Sequence, residues 1–259
     1  YIFFAETARR LGIDKIEQAA RKLGLGAPTG IELPGERSGL IPSRDWKRKT
    51  TRQAWQQGDT ISVAIGQGYV TATPLQLCQM TARIAGGKAV NAHMVHSVDE
   101  RVLEQAHVPH IDFSDEALAV VRSGLNKVTN VPGGTAFAWR IAEPGLEMAG
   151  KTGTAQVRRF TSEERARGLT RNENLAWRLR DHALFVGYAP LVNPKYALSI
   201  ILEHGAVGHP HVQMARDILT FAQKRDVVGR ATAYPVKAAG IGGVRGARKE
   251  PPAGAKEPG

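Results

Sequence analysis

The sequence predicts an α/β fold of the α+β type, an antiparallel sheet flanked by helices. Three observations carry this. Helix starts recur through the first half of the chain, at Asp14, Thr73 and Ser114. Two apolar runs, Ala183 to Tyr188 and Tyr196 to Leu202, lie either side of a short turn holding Pro194 and read as an antiparallel pair. A third run, Leu146 to Val157, contains Gly150 and Gly153, and glycine inside a strand marks the close approach of another backbone or a ligand.

Each element has a local cause. Asp14 reads as an N-cap with Glu17 as its reciprocal partner, followed by Ile16, Ala19, Ala20 and Leu23 at helical spacing and a stop at Gly24. Thr73-Pro74-Leu75-Gln76 is the strongest start: Thr73 caps, Pro74 fits the first helical position and Gln76 reaches back. Leu77, Thr81, Ile84 and Ala85 share one side of that helix, which ends at Gly86-Gly87. A helix from Ser114 has Asp115 and Glu116 in its first turn and a stripe of Leu118, Val121, Leu125 and Val128. The last helix runs from about Val212 to Lys224, with Ala215, Ile218, Leu219 and Ala222 inward. Between the strands, Arg159 to Asp181 reads as a long polar excursion. From Gly229 to Gly259, Gly, Pro, Ala, Lys and Arg dominate, so a disordered basic tail is expected after a domain spanning 1–228.

Composition bounds the function. The 259 residues are 42% hydrophobic and 23% charged, an ordinary globular balance. No apolar run reaches the roughly 18 residues of a bilayer-crossing helix. The single Cys78 excludes an internal disulfide framework and a multi-thiolate metal site, and packing as a buried thiol is the plain reading. The opening Tyr1-Ile2-Phe3-Phe4 reads as the middle of an apolar element, so the chain is expected to be a fragment of something longer. The net charge of +11 raises nucleic acid or an anionic surface, but no nucleic-acid module signature appears. A solvated surface with a basic tail accounts for the charge. His93 and His96 could share a helix face, yet no third metal ligand follows at a convincing spacing. Trp46, Trp55, Trp139 and Trp177 read as packing residues. Asp181-His182 is either an orienting pair near a site or an ion pair of Asp181 with Arg178 or Arg180 beside a strand start.

Lys151-Thr152-Gly153-Thr154 is the segment most suggestive of chemistry. A cation and hydroxyl donors suit a substrate ending in carboxylate, glycine leaves room along the strand, and a strand N–H can stabilise an oxyanion. Alone the tripeptide Lys-Thr-Gly is weak. Its context is specific: Gly30-Ile31-Glu32-Leu33-Pro34, Gly58-Asp59-Thr60, Gly66-Gln67-Gly68-Tyr69, Thr71-Ala72-Thr73-Pro74-Leu75-Gln76, Pro132-Gly133-Gly134-Thr135-Ala136 and Lys151-Thr152-Gly153-Thr154-Ala155-Gln156 occur in order. Together they resemble the class B penicillin-binding proteins, from Tyr1 to about Lys224. Arg178-Leu179-Arg180-Asp181-His182, Ala189-Pro190 and Ile201-Leu202-Glu203 look like the elongation-specific branch.

The resemblance implies a penicillin-binding, serine β-lactamase-like transpeptidase fold, incomplete at its N-terminus. It implies peptidoglycan D,D-transpeptidation through a serine acyl-enzyme, with no cofactor. Lys151 and Thr154 would be catalytic, Lys151 relaying protons and the Thr154 N–H stabilising the oxyanion. Lys151, Thr152, Gly153 and Thr154 would bind substrate. Implied partners are stem peptides, β-lactams and a glycan polymerase of the elongation machinery, at the periplasmic side of the inner membrane, with an anchor upstream.

The chain also departs from the family pattern. No serine is followed three residues later by lysine, so the nucleophile motif is absent. Ser43-Arg44-Asp45 and Ser97-Val98-Asp99 match the second motif only by chance, since neither lies just before the first helix. The fragment is therefore expected to be inactive alone. A D,D-carboxypeptidase or β-lactamase, a non-enzymatic penicillin-binding sensor or scaffold, and a nucleic-acid binder remain as alternatives.

Overall fold

The protein is described by a computed structural model at residues 2–95, 97–98, 101–102, 107–157, 166–168, 170–205 and 207–226. Two antiparallel sheets occur among them. β1 (Ser97–Val98) and β2 (Arg101–Val102) form a short ribbon, and β3 (Ala149–Ala155), β4 (His182–Ala189) and β5 (Tyr196–Leu202) form a sheet in the order β3-β4-β5. The register aligns Lys151 with Val186 and Ser199, and Thr152 with Phe185 and Ile200. The three expected strands are therefore present, β3 being the shorter core of Leu146 to Val157. The expected tail at 229–259 lies outside the described residues, as do His96 and Asp99.

The helices are α1 (Ile2–Leu11), α2 (Ile13–Lys22), α3 (Arg44–Thr51), α4 (Gln57–Ala64), α5 (Pro74–Gly86), α6 (Asp115–Asn130) and α7 (Pro210–Arg225). α5 forms as its sequence dictates. The Thr73 hydroxyl accepts from the Gln76 N–H at 3.1 Å, and the Gln76 side chain accepts from the Thr73 N–H at 3.0 Å. Gly87 then closes the helix with a φ of 68°.

α2 corrects the sequence reading. Its N-cap is Gly12 rather than Asp14, because Ile13 is fully buried and already helical. Asp14 sits in the first turn and pairs with Arg44 at 3.2 Å, while Glu17 pairs with Arg21. Ser43 caps α3, its hydroxyl accepting from the Trp46 N–H, which gives that serine a structural role. α3 and α4 are joined by buried Lys47, whose ammonium meets Asp59 and lies 5.9 Å from the Trp55 and Tyr69 ring centres. Burial pushes the Asp59 pKa up, but Lys47 and the Gln56 N–H outweigh it and the net shift is downward.

Each face of the sheet is covered. Phe185 and Ala189, with Met148, pack against Val212, Ala215 and Leu219 of α7. Tyr188, Ala149 and Ala197 pack against Ala85 of α5 and Leu125 of α6. Three assigned helix faces differ from expectation. Ile218 is 50% exposed, because α7 contacts the sheet through 212, 215 and 219. Val121 is 46% exposed, because α6 turns Leu118, Arg122 and Thr129 inward, the Arg122 Nε donating to the Ile84 carbonyl. α5 buries Gln76, Gln79 and Arg83 alongside Thr81 and Ala85, whereas Leu77 and Ile84 are only half-buried. These polar groups reach backbone outside α5: Gln76 donates to the Ala27 and Ser38 carbonyls, and Arg83 to those of Lys22, at the end of α2, and Val90. Every such bond offsets the cost of burying an amide or guanidinium.

Candidate active site

Among the described residues β3 is an edge strand, hydrogen-bonded to β4 on one side only. The Lys151 side chain and the bare Cα of Gly153 share one face of it, and the side chains of Thr152 and Thr154 the other. Lys151, Gly153 and Thr154 are exposed, and Thr152 is half-buried.

The start of β3 is held by the end of α6. The Thr129 hydroxyl and the Asn130 amide both donate to the Met148 carbonyl, each at 2.8 Å. The chain then turns at Val131-Pro132-Gly133, and Gly133 takes a φ of 88°. Gly134 lies against the last turn of α6, where an added Cβ would overlap the Lys127 and Val128 carbonyl oxygens. The Ala136 N–H donates to the Val128 carbonyl at 3.0 Å. This packing sets Thr135 beside β3, its hydroxyl 3.1 Å from that of Thr152.

The far end of β3 is also fixed. Asp181 accepts from the Val157 N–H at 3.3 Å and from the Asn172 amide at 3.1 Å. Its partners are thus the loop and the strand end, not Arg178 or Arg180. His182 is half-buried, and its Nδ1 accepts from the His204 N–H at 2.9 Å. Trp177 lies against His204 with the rings tilted by 59° and is 58% exposed, unlike the half-buried Trp46, Trp55 and Trp139. His93 lies in a loop rather than on a helix face. Among the described residues no group of three His, Cys, Asp or Glu could hold a metal. Cys78 is half-buried against the Ala197 carbonyl, and burial pushes its thiol pKa up.

The two glycines of β3 differ. A Cβ at Gly150 would overlap the Phe185 ring, so packing requires glycine there. A Cβ at Gly153 would meet only Leu184 Cβ, at 3.4 Å, and its φ lies outside the left-handed region. Neither packing nor backbone conformation demands glycine at 153. The Lys151 ammonium donates to the Thr152 carbonyl at 2.7 Å, and partial burial pulls its pKa below that of an ordinary lysine. The strand thus carries a cation on one face and hydroxyls on the other.

Sequence reading placed Lys151 to Thr154 but assigned Thr135 no role. The signal for Thr135 was the Gly-Gly pair directly after the α6 stripe, which brings the next residue back along the helix end.

The chain belongs to the penicillin-binding protein transpeptidase family: the family model for the penicillin binding protein transpeptidase domain matches residues 1–220. Within that family it is similar to the peptidoglycan D,D-transpeptidase MrdA of Haemophilus influenzae, 37% identical over 85% of this chain, and of Escherichia coli K12, 38% identical over 84%. The chain spans about a third of the length of these relatives, 34% of each. Among solved structures it resembles Helicobacter pylori penicillin-binding protein 2 in complex with MreC, at 30% identity and a TM-score of 0.72, covering 86% of this chain and 38% of that one. It also resembles Pseudomonas aeruginosa penicillin-binding protein 2 in complex with WCK 5153, at 34% identity and 0.69, covering 84% and 44%. These likenesses fall on the branch that the motifs around Asp181 and Glu203 implied.

Proposed function

We propose that residues 1–228 form the C-terminal part of the transpeptidase domain of a peptidoglycan D,D-transpeptidase acting in cell elongation. The observation that carries this is the exposed edge strand bearing Lys151, Thr152, Gly153 and Thr154, with Thr135 beside it. The names of the MrdA relatives support the same reaction.

In this reading an extended stem peptide lies along the open edge of β3, with Gly153 leaving room for it. Its terminal carboxylate meets the Lys151 ammonium and the hydroxyls of Thr152 and Thr154. A serine outside this chain attacks the penultimate D-alanine carbonyl, and the Thr154 N–H donates to the developing oxyanion. The C–N bond to the terminal D-alanine breaks, and D-alanine leaves with the proton that the serine released. An amine of a neighbouring stem then displaces the serine and forms the crosslink. Lys151 holds the carboxylate and takes part in passing the proton.

A glycan polymerase partner and a periplasmic, inner-membrane location belong to the same proposal. The H. pylori relative is seen with MreC, and another relative, 34% identical, belongs to a peptidoglycan synthase complex coordinating polymerization and crosslinking. No described helix is long and apolar enough to cross a membrane.

The test is the intact mass of the natively expressed protein with and without benzylpenicillin. One covalent adduct on a mass larger than these 259 residues supports an acyl-transferase. Absence of an adduct on such a larger protein, under conditions where a control penicillin-binding protein is labelled, removes the reading.

A further inference from the structure

A cavity of about 820 Å³ opens where the end of α5, the middle of α6 and the turn between β4 and β5 meet. Lys151 does not line it. Its cations are Lys88, Arg122 and Lys195, and none of the described residues lining it is acidic. Lys195 has a loose, half-exposed partner in Asp226 at 3.8 Å. Among the described residues, no carboxylate pairs with Lys88 or Arg122.

Arg122 is held in place. Its Nε donates to the Ile84 carbonyl at 2.7 Å, which fixes the guanidinium plane and leaves its terminal nitrogens for another acceptor. Gly87 leaves the space it occupies: a Cβ there would lie 3.1 Å from one terminal nitrogen. Tyr188 closes the floor, and the Arg122 charge opposes the upward push of burial on its phenol, which places the two groups together. The half-buried Tyr196 ring forms a wall.

We infer that this cavity binds a phosphate-bearing ligand, its anion gripped by the Arg122 fork with Lys88 and Lys195 supplying further charge. A planar guanidinium matches phosphate oxygens two at a time. Lys88 and Arg122, unpaired among the described residues, with the loosely paired Lys195 beside them, suit a multiply charged anion, since a single carboxylate would leave one of the two unpaired cations unmatched. The volume exceeds a bare phosphate and admits a ring against Tyr196. The site stands apart from the transpeptidase reading.

The test uses purified protein and two probes. Inorganic pyrophosphate in a calorimetric titration stands for a soluble ligand, and vesicles of phosphatidylcholine with phosphatidic acid stand for a lipid headgroup. Pyrophosphate should bind saturably, and Lys88→Ala and Arg122→Gln should each weaken it about tenfold. Lys151→Ala should leave that binding unchanged. Lys88 is exposed, so its variant reads the site even where Arg122→Gln disturbs folding. Capture by vesicles alone, lost in Lys88→Ala, supports the site with a lipid source. Lack of saturable binding in both arms overturns the inference. So does binding that Lys88→Ala leaves intact, or that Lys151→Ala abolishes.

Discussion

The hydroxyls of Thr135 and Thr152 lie 3.1 Å apart, one on the turn after α6 and the other on the edge strand. When Thr135 donates to Thr152, the Thr152 proton is left free and aimed away from the pair. That orientation suits an incoming carboxylate. On the proposed function, Thr135 would be a positioning residue. In the full-length protein, Thr135→Val should slow benzylpenicillin acylation about fivefold, the worth of about 1 kcal/mol for one hydrogen bond. Thr135→Ser should restore the rate. An unchanged rate in Thr135→Val with an unchanged melting temperature would refute the role.

The glycines of β3 should separate folding from chemistry. Gly150→Ala drives a methyl into the Phe185 ring and should destabilise by about 1–3 kcal/mol. Gly153→Ala meets only ordinary contact and should leave melting nearly unchanged while slowing acylation. Thermal melts beside acylation rates read both. Equal melting losses in the two variants would contradict this division.

Lys151 should impose an alkaline limb on acylation. Partial burial lowers its pKa, so its ammonium is lost at lower pH than the ordinary 10.5. The rate should therefore fall in the alkaline range below the ordinary lysine pKa, before an unperturbed lysine would titrate. Lys151→Arg stays protonated across that range and should flatten the limb, whatever its absolute rate. A wild-type profile that bends only above the ordinary lysine pKa would argue against a desolvated amine.

His211 should make the fold acid-labile. It is 3% exposed, and among the described residues neither ring nitrogen has a hydrogen-bond partner. Burial, and then the nearby His209, lower its pKa from 6.5 to about 4. The unfolded chain takes up this proton near pH 6.5 and the folded chain only near 4, so stability falls as pH drops through that window. The loss approaches about 3 kcal/mol and levels off below it. Denaturant melts should show the decline in the wild type, and His211→Leu should reduce it. A decline of equal size in His211→Leu would assign it elsewhere.

What could be read in advance follows from the range of the interactions. The Thr73 cap and the Ser114 start are closed by groups three residues apart, so local sequence encodes them fully. The strands at 182–189 and 196–202 follow from apolar runs and an intervening turn. Helix faces were harder. Gln76 and Arg83 are buried because backbone carbonyls distant in sequence accept from them, and periodicity carries no record of those partners. At the site, Lys151 to Thr154 form a contiguous motif, whereas Thr135 joins them only through a folded turn and the packing of Gly134 on α6.

A strand with one neighbour is a template for any extended chain, including a second copy of itself. Lys151 sits on that edge, exposed. Two molecules zipping together through β3 would bring two ammonium groups onto one short ladder, and like charges there repel. On the proposed function, the lysine would disfavour that self-pairing while favouring a guest that ends in a carboxylate. Replacing it by a neutral residue would remove both effects.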